Sequence, residues 1–260
     1  MSDEQPAPCQ QCGGTGFTII EDKGSSRARP CVCRTPAAKA GSLDARLRVA
    51  RIPQRYTECR FKNFDAYGDH AFSLSNAKAL GMRYAEEYPL SDRGLLLMGP
   101  PGVGKTHLAV ATLRRLIIDK GIRCLFVDVQ DLLRGLQATF DRNLGMSQLE
   151  LLQPVLNSEV VVLDDLGGRQ FSPWVEETLA HIVTTRYNTK RATIVTTNYL
   201  DRPPDRRMQT LEDRIGERVR SRLHEMCHLV EVQAADFRST VKRADHHRLT
   251  DRIGRPQEHS

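Results

Sequence analysis

The feature that most constrains the fold is residues 94–107, where a short apolar run is followed by a glycine-rich loop. Residues 95–98 have the composition of a strand buried on both faces, and residues 99–106 fill the pattern G-x-x-x-x-G-K-[ST]. In this pattern the loop amides point at phosphate oxygens, and the N-terminus of the following helix adds positive charge. The alternative is a loop that only joins a strand to a helix. Because strand, complete motif and amphipathic helix stand in the required order, the sequence predicts binding of a nucleoside triphosphate.

Residues of this loop and of the helix start are expected to contact the nucleotide and its metal ion. The ammonium of Lys105 can reach the β- and γ-phosphates of ATP, and the hydroxyl of Thr106 can ligate Mg²⁺. The residues expected to contact the nucleotide are Gly99, Pro100, Pro101, Gly102, Val103, Gly104, Lys105, Thr106 and His107.

Two further polar sites follow apolar runs. Residues 160–163 predict a buried strand that delivers Asp164 and Asp165 to its carboxyl end, where ligands bind in open α/β sheets. Asp164 is expected to hold Mg²⁺, directly or through water, and Asp165 to act as general base on the attacking water. Asn198 follows the predicted strand 192–196 and is expected to orient that water. An asparagine that simply ends a strand is the alternative.

Length and charge limit the class of protein. The 260 residues suffice for one α/β domain of about 200 residues plus a small appendage. No apolar run approaches the roughly 18 residues that a membrane span needs, and residues 1–11 lack a signal-peptide core. A cytoplasmic protein without a membrane partner is therefore expected.

The net charge is +6, and residues 27–60 hold nine Lys/Arg against two acidic residues. This excess fits nucleic acid, a solvated basic helix, or a docking surface for an acidic protein.

Four cysteines near the N-terminus form two close pairs. They are Cys9, Cys12, Cys31 and Cys33. This spacing suits tetrahedral thiolate coordination of Zn²⁺, although C-x-C is tighter than the usual C-x-x-C. Reduced thiols or disulfides are the alternatives. The sequence predicts a zinc-binding module over residues 1–34, a basic helical linker over 35–60, an α/β domain over 61–248 and a disordered tail over 249–260.

A second basic stretch lies in the C-terminal third. A capping-box-like start at Thr210 predicts a helix, and a spacing of four would put Arg214, Arg218 and Arg222 on one face. Such a face is usually solvated. The functional interpretation is a row of arginines presented to the nucleotide of an adjacent subunit.

Together these motifs resemble the AAA+ ATPases, and within them the DnaC/DnaI-type loaders of replicative helicases and the related IstB-type transposition helpers. The resemblance covers roughly residues 52–249 and rests on segments 52–56, 61–64, 99–109, 160–167, 196–198 and 216–223. It implies an AAA+ P-loop fold, with a parallel five-stranded sheet flanked by helices.

The resemblance also implies roles for particular residues. Arg218 matches the arginine finger that completes a neighbour's ATP site, with Arg222 as the alternative, and Arg238 is similar to the arginine of the second sensor. Residues 129–140 and the excursion after them occupy the place of the initiator-type insertion, which this group associates with single-stranded DNA. A cysteine-rich N-terminal module looks like the DnaI-type loaders and unlike the IstB helpers.

The function implied is an ATP-dependent loader that assembles as a ring or spiral and delivers a hexameric replicative helicase to single-stranded DNA. The alternatives are a DNA-binding helper ATPase for a transposase and a nucleotide-switched adaptor with little hydrolysis. One departure matters: the family generally has Asp-Glu where this chain has Asp164-Asp165. The shorter side chain of Asp165 predicts slow hydrolysis.

Overall fold

The structure is a computed structural model that describes residues 17–22, 25–30, 36–90, 93–140, 147–169, 172–205 and 207–237, with side chains from residue 43 onward. The chain divides into two units, Met1–Arg48 and Val49–Ser260. The four paired cysteines, Arg238 and the predicted tail lie outside the described residues. Within the described ranges, no helix combines the length and the apolar character needed to cross a membrane.

The first unit contains an antiparallel hairpin of β1 (Phe17–Asp22) and β2 (Ser25–Pro30). Its register pairs Phe17 with Pro30, so the open end of the hairpin lies at these two residues. Helix α1 (Pro36–Val49) follows, where the Ala/Leu/Arg-rich composition predicts a helix.

The second unit is built on a five-stranded sheet. Its strands are β3 (Gly94–Met98), β4 (Cys124–Asp128), β5 (Val160–Asp164), β6 (Ala192–Thr197) and β7 (Cys227–Glu231). Hydrogen bonds order them β4–β5–β6–β3–β7, and every pair is parallel. Because β3, β5 and β6 are buried at every position, they read as continuous apolar or Thr-rich runs. The predicted parallel five-stranded sheet is confirmed.

Helices connect and cover these strands. Those of the described residues in this unit are α2 (Ala71–Glu87), α3 (Lys105–Lys120), α4 (Val129–Ala138), α5 (Gln148–Asn157), α6 (Pro173–Asn188), α7 (Leu211–Ile215) and α8 (Glu217–Met226). Helix α3 ends at Gly121, whose φ of 69° is the left-handed conformation typical of a glycine after a helix. The hydroxyl of Ser172 caps α6 by accepting the amide of Val175.

A break at Gly216 divides the helix expected after Thr210. The capping box of Thr210 and Asp213 starts α7, but a φ of 80° at Gly216 ends it, and α8 begins one residue later. The expectation that Arg214 shares a helix face with Arg218 is therefore wrong. The two arginines lie on different helices.

The fully buried side chain of Arg186 fastens α6 to the sheet. Its guanidinium donates to Thr193 Oγ1 at 3.0 Å and to the carbonyls of Val155, Ser158 and Ala192 at 2.7, 3.0 and 2.6 Å. Burial lowers its pKa to about 10. These hydrogen bonds tie the end of α5 and the start of β6 to α6.

Candidate functional site: a nucleotide-binding centre

The phosphate loop joins β3 to α3 at the carboxyl edge of the sheet. Gly99 and Gly104 have φ values of 150° and 95°, which residues with a side chain rarely adopt. A Cβ on Gly99 would lie 2.0 Å from the carbonyl oxygen of Val232, so only glycine fits there. The other predicted loop contacts include the exposed Pro100 and Pro101 and the buried Val103.

Lys105 is the first residue of α3, and its side chain is buried. Its ammonium donates to the carbonyls of Gly99 and Pro100 at 2.8 and 2.7 Å, and to Asn198 Oδ1 at 2.8 Å. The structure thus brings together two predicted site residues that are distant in sequence. An ammonium held inside the loop is placed to exchange these carbonyls for phosphate oxygens.

Thr106 and Asp164, the two residues expected to hold Mg²⁺, lie in contact. Thr106 Oγ1 donates to Asp164 Oδ1 at 2.9 Å, and Thr196 Oγ1 donates to the same oxygen at 2.6 Å. Burial raises the pKa of the Asp164 carboxyl, while these two hydroxyls act in the opposite direction. Hydroxyl and carboxylate oxygens are the ligands that Mg²⁺ prefers. The donor set of Thr106 and Asp164 therefore fits that ion.

Asp165 and Asn198 also lie in contact. Asn198 Nδ2 donates to Asp165 Oδ1 at 2.8 Å, so its amide links the ammonium of Lys105 to the carboxylate. Asp165 has a φ of 56°, and its amide donates to Thr196 Oγ1 at 2.9 Å. Burial and the charge of Asp128 raise the pKa of Asp165, and Lys105 lowers it. A carboxylate fixed in this way can accept a proton from water.

An aromatic residue before α2 lines the loop from the other side. Phe64 is buried, and a Cβ on Gly104 would lie 2.6 Å from its ring. The ring also meets the edge of His107, with centroids 5.3 Å apart. His107 Nε2 lies 3.0 Å from the carbonyl oxygen of Arg60, and burial lowers the pKa of this imidazole. Phe64 therefore supports the loop and is also part of the core.

The segment after β7 crosses the phosphate loop. The amide of Phe237 donates to the carbonyl of Gly102 at 3.2 Å, and Tyr67 Oη donates to the carbonyl of Ala235 at 2.6 Å. The rings of Tyr67 and Phe237 lie 5.4 Å apart. Sequence reasoning missed Tyr67 and Phe237, because nothing local marks a contact between such distant segments.

The predicted finger residues lie away from this cluster. Arg218 is exposed in the first turn of α8 and lines a surface cavity along α6. Its neighbours there include Pro173, Glu176, Glu177, His181 and Thr184. Arg222 is half-buried and donates to the carbonyl of Arg218 at 3.3 Å. Arg238 and the four paired cysteines fall outside the described ranges, so their roles remain predictions.

Arg214 occupies a position that the sequence did not indicate. Its guanidinium donates to the carbonyls of Gly167 and Arg169 at 2.8 and 2.7 Å and lies over the ring of Tyr199. It therefore ties α7 to the loop that follows Asp165. No local signal distinguishes this arginine from its exposed neighbours.

The fold and site together define the class: a P-loop nucleotide-binding protein of the AAA+ type. Within that class, the chain belongs to the IstB-like ATP binding protein family, whose family model matches residues 41–245. It is 30% identical over 168 residues to the replicative helicase loader DnaC of Escherichia coli strain K12, covering 65% of this chain and 64% of that protein. The chain thus matches less than two thirds of that relative's length.

Solved structures that resemble this one include those of the DnaC helicase loader and of DnaI. The crystal structure of the DnaC helicase loader has a TM-score of 0.61 and 38% identity, and the match covers 70% of this chain and 100% of that chain. The crystal structure of DnaI has a TM-score of 0.58 and 23% identity, covering 70% and 95% of the two chains. At 23% identity, the similarity to the DnaI structure shows a shared fold and nothing more.

Proposed function

We propose that this protein is an ATP-dependent loader of a hexameric replicative helicase onto single-stranded DNA. The observation that carries the proposal is the 38% identity to the DnaC helicase loader over the whole of that structure. The cluster of Lys105, Asp164 and Asn198 supplies the ATP-binding half of the activity.

ATP hydrolysis uses the residues of this cluster. Lys105 and the loop amides hold the phosphates. Thr106 and Asp164 would hold Mg²⁺, which when bound would neutralise charge on the phosphate oxygens. Water attacks the γ-phosphorus, the bond to the bridging oxygen of ADP breaks, and Asp165 accepts the proton of the water. Asn198 keeps Asp165 oriented.

Arg218 is assigned to the ATP site of a neighbouring subunit. Its exposed position on α8, outside its own subunit's cluster of Lys105, Asp165 and Asn198, supports this role. Self-association into a ring or spiral follows, since an arginine supplied in trans has no such function in a monomer.

Replacing this arginine tests the assignment. Arg218→Ala is expected to spare ATP binding and to depress turnover by roughly several hundred-fold or more. Arg222→Ala is the comparison, and Arg207→Ala, at a 90% exposed side chain paired with Asp205, is the control. Near-normal hydrolysis by Arg218→Ala would refute the assignment.

Single-stranded DNA is the proposed ligand of the α4 region. The exposed ring of Phe140 lies at an edge-on angle to that of Trp174, with centroids 6.0 Å apart. Exposed aromatic rings on which bases stack are typical of proteins that bind single strands without sequence preference. Arg169 donates to the side chain of Gln137 on α4 and supplies positive charge near that helix.

Zinc is proposed for the four N-terminal cysteines. In sequence, one pair precedes hairpin strand β1 and the other follows β2, and the open end of the hairpin is formed by Phe17 and Pro30. An antiparallel hairpin flanked in this way is compatible with two pairs of thiolates that share one ion. The module is the proposed docking site for the helicase.

Size-exclusion chromatography with the host's replicative helicase tests the partner. Co-elution that depends on ATP rather than ADP, and that is lost with Lys105→Ala, is the expected result. If the helicase elutes alone while this protein assembles on duplex DNA with ATP, the transposase-helper alternative is favoured. If the complex forms but no ATP is hydrolysed, even with DNA present, the nucleotide-switched adaptor is favoured.

A further inference from the structure

A second polar side chain lies close to the proposed general base Asp165, at the start of the helix that follows β4. Gln130 lies in the first turn of α4, just after Asp128, which ends β4 and is in register with Asp164 of β5. Its Nε2 atom is buried and has no hydrogen-bond partner in the part of the chain that the structure describes. A buried amide donor without an acceptor is unfavourable, so this donor is expected to meet a ligand or a water.

The surroundings of Gly168 show that Gln130 Nε2 lies close to Asp165. A Cβ on Gly168 would lie 2.3 Å from Asp165 Oδ2 and 2.6 Å from Gln130 Nε2. Gly168 does not have a positive φ, so its backbone conformation would accept a side chain, and a Cβ here would instead press on the movable ends of the Asp165 and Gln130 side chains. The glycine therefore keeps open a gap between a carboxylate oxygen and an amide donor.

The two oxygens of Asp165 have different surroundings. Oδ1 accepts the amide of Asn198 at 2.8 Å, whereas Oδ2 lies toward Gly168 and Gln130. Gln130 Nε2 does not bond directly to Oδ2, although both lie close to the same point in space. Two polar atoms in this relation are suited to share one water molecule.

We propose that Gln130 is a positioning residue for the water that attacks ATP. The inference rests on the proposed ATPase function. Gln130 Nε2 donates a hydrogen bond to the oxygen of the water, and Asp165 Oδ2 accepts the water's proton. The second lone pair of the water attacks the γ-phosphorus, and the bond to the bridging oxygen of ADP breaks. The amide thereby offsets the short reach of an aspartate at position 165.

Single-turnover and steady-state ATP hydrolysis by the full chain, with helicase and single-stranded DNA present, test the proposal. Gln130→Ala should lower kcat about tenfold while KM and ATP affinity stay within about twofold, because a single positioning hydrogen bond is lost. Gln130→Glu has a similar size but places a carboxylate beside that of Asp165, and should lower kcat at least as far. Gln153→Ala, at an exposed glutamine of α5, is the matched control.

Gly168→Ala gives an independent test at an exposed position. Its methyl group should displace Asp165 Oδ2 and lower kcat at least as much as Gln130→Ala. The double variant should lose no more than Gly168→Ala alone, because both changes act through one water. The thermal midpoint of Gln130→Ala should not fall below that of the control, since an unpaired donor is removed.

Two results would overturn the inference in distinguishable ways. If the wild-type protein turns over ATP and Gln130→Ala retains its kcat, Gln130 has no positioning role and the proposed function stands. If the wild-type protein hydrolyses no ATP with helicase and DNA present, the hydrolytic part of the proposed function fails and the role of Gln130 fails with it.

Discussion

Asn198 is the residue whose replacement is expected to separate ATP binding from hydrolysis. Its amide accepts from Lys105 through Oδ1 and donates to Asp165 through Nδ2, both at 2.8 Å. Asn198→Ala removes both contacts. Lys105 still has the carbonyls of Gly99 and Pro100, so its position in the phosphate loop should survive.

The loss should therefore fall on the catalytic step. A hydrogen bond to a charged group contributes about 1.5–3 kcal/mol, which corresponds to a reduction of about 10- to 150-fold in kcat. ATP affinity should change by less than about threefold, because the contact to Asp165 matters mainly when the water is activated. Steady-state ATPase assays and fluorescent-nucleotide titration measure the two quantities.

Asn198→Asp is the matched variant. It keeps an oxygen acceptor for Lys105 but places a carboxylate beside that of Asp165, where two like charges in contact cannot both ionise readily. Hydrolysis should fall at least as far as in Asn198→Ala. The reasoning would be refuted if Asn198→Ala weakened ATP binding strongly while kcat of the bound complex stayed at the wild-type value.

Two further predictions concern stability and thiol chemistry. Arg186→Leu removes the three hydrogen bonds of this guanidinium to carbonyls and the one to Thr193 Oγ1, and should lower the free energy of unfolding by about 3–5 kcal/mol in urea titrations; a loss below about 1 kcal/mol would contradict the structure. Burial raises the pKa of Cys124 and of Cys227 to about 12, so both remain protonated thiols at pH 8 and should resist iodoacetamide until the protein unfolds. Bound zinc should protect the four N-terminal cysteines in addition, and a chelator should expose them; equal labelling with and without chelator would argue against zinc.

Much of the site could be predicted because its signals are local or follow from sheet geometry. The phosphate loop is one uninterrupted motif. Asp164 and Asn198 each follow an apolar run, and parallel strands bring their carboxyl ends to one edge of the sheet. In the structure Lys105 contacts Asn198, and Thr106 contacts Asp164.

Other parts of the site depend on tertiary contacts that no local pattern encodes. A glycine inside a helical pattern costs only about 1 kcal/mol, so Gly216 gave no clear sign that it divides α7 from α8. Arg214 and Gln130 lie in ordinary amphipathic segments, and the groups close to them come from a loop elsewhere in the chain. Phe64 packs in the core and also supports the phosphate loop. The sequence cannot distinguish these two roles, because both require a large apolar side chain.

The most direct test of the central proposal is helicase loading itself. The host's replicative helicase would be mixed with circular single-stranded DNA that carries an annealed oligonucleotide and is coated with single-strand-binding protein, and oligonucleotide release would be followed over time. With this protein and ATP, release should be fast, and Lys105→Ala should reduce it to the level of helicase alone. Release at that same low level with the wild-type protein, despite active helicase on uncoated DNA, would contradict the account.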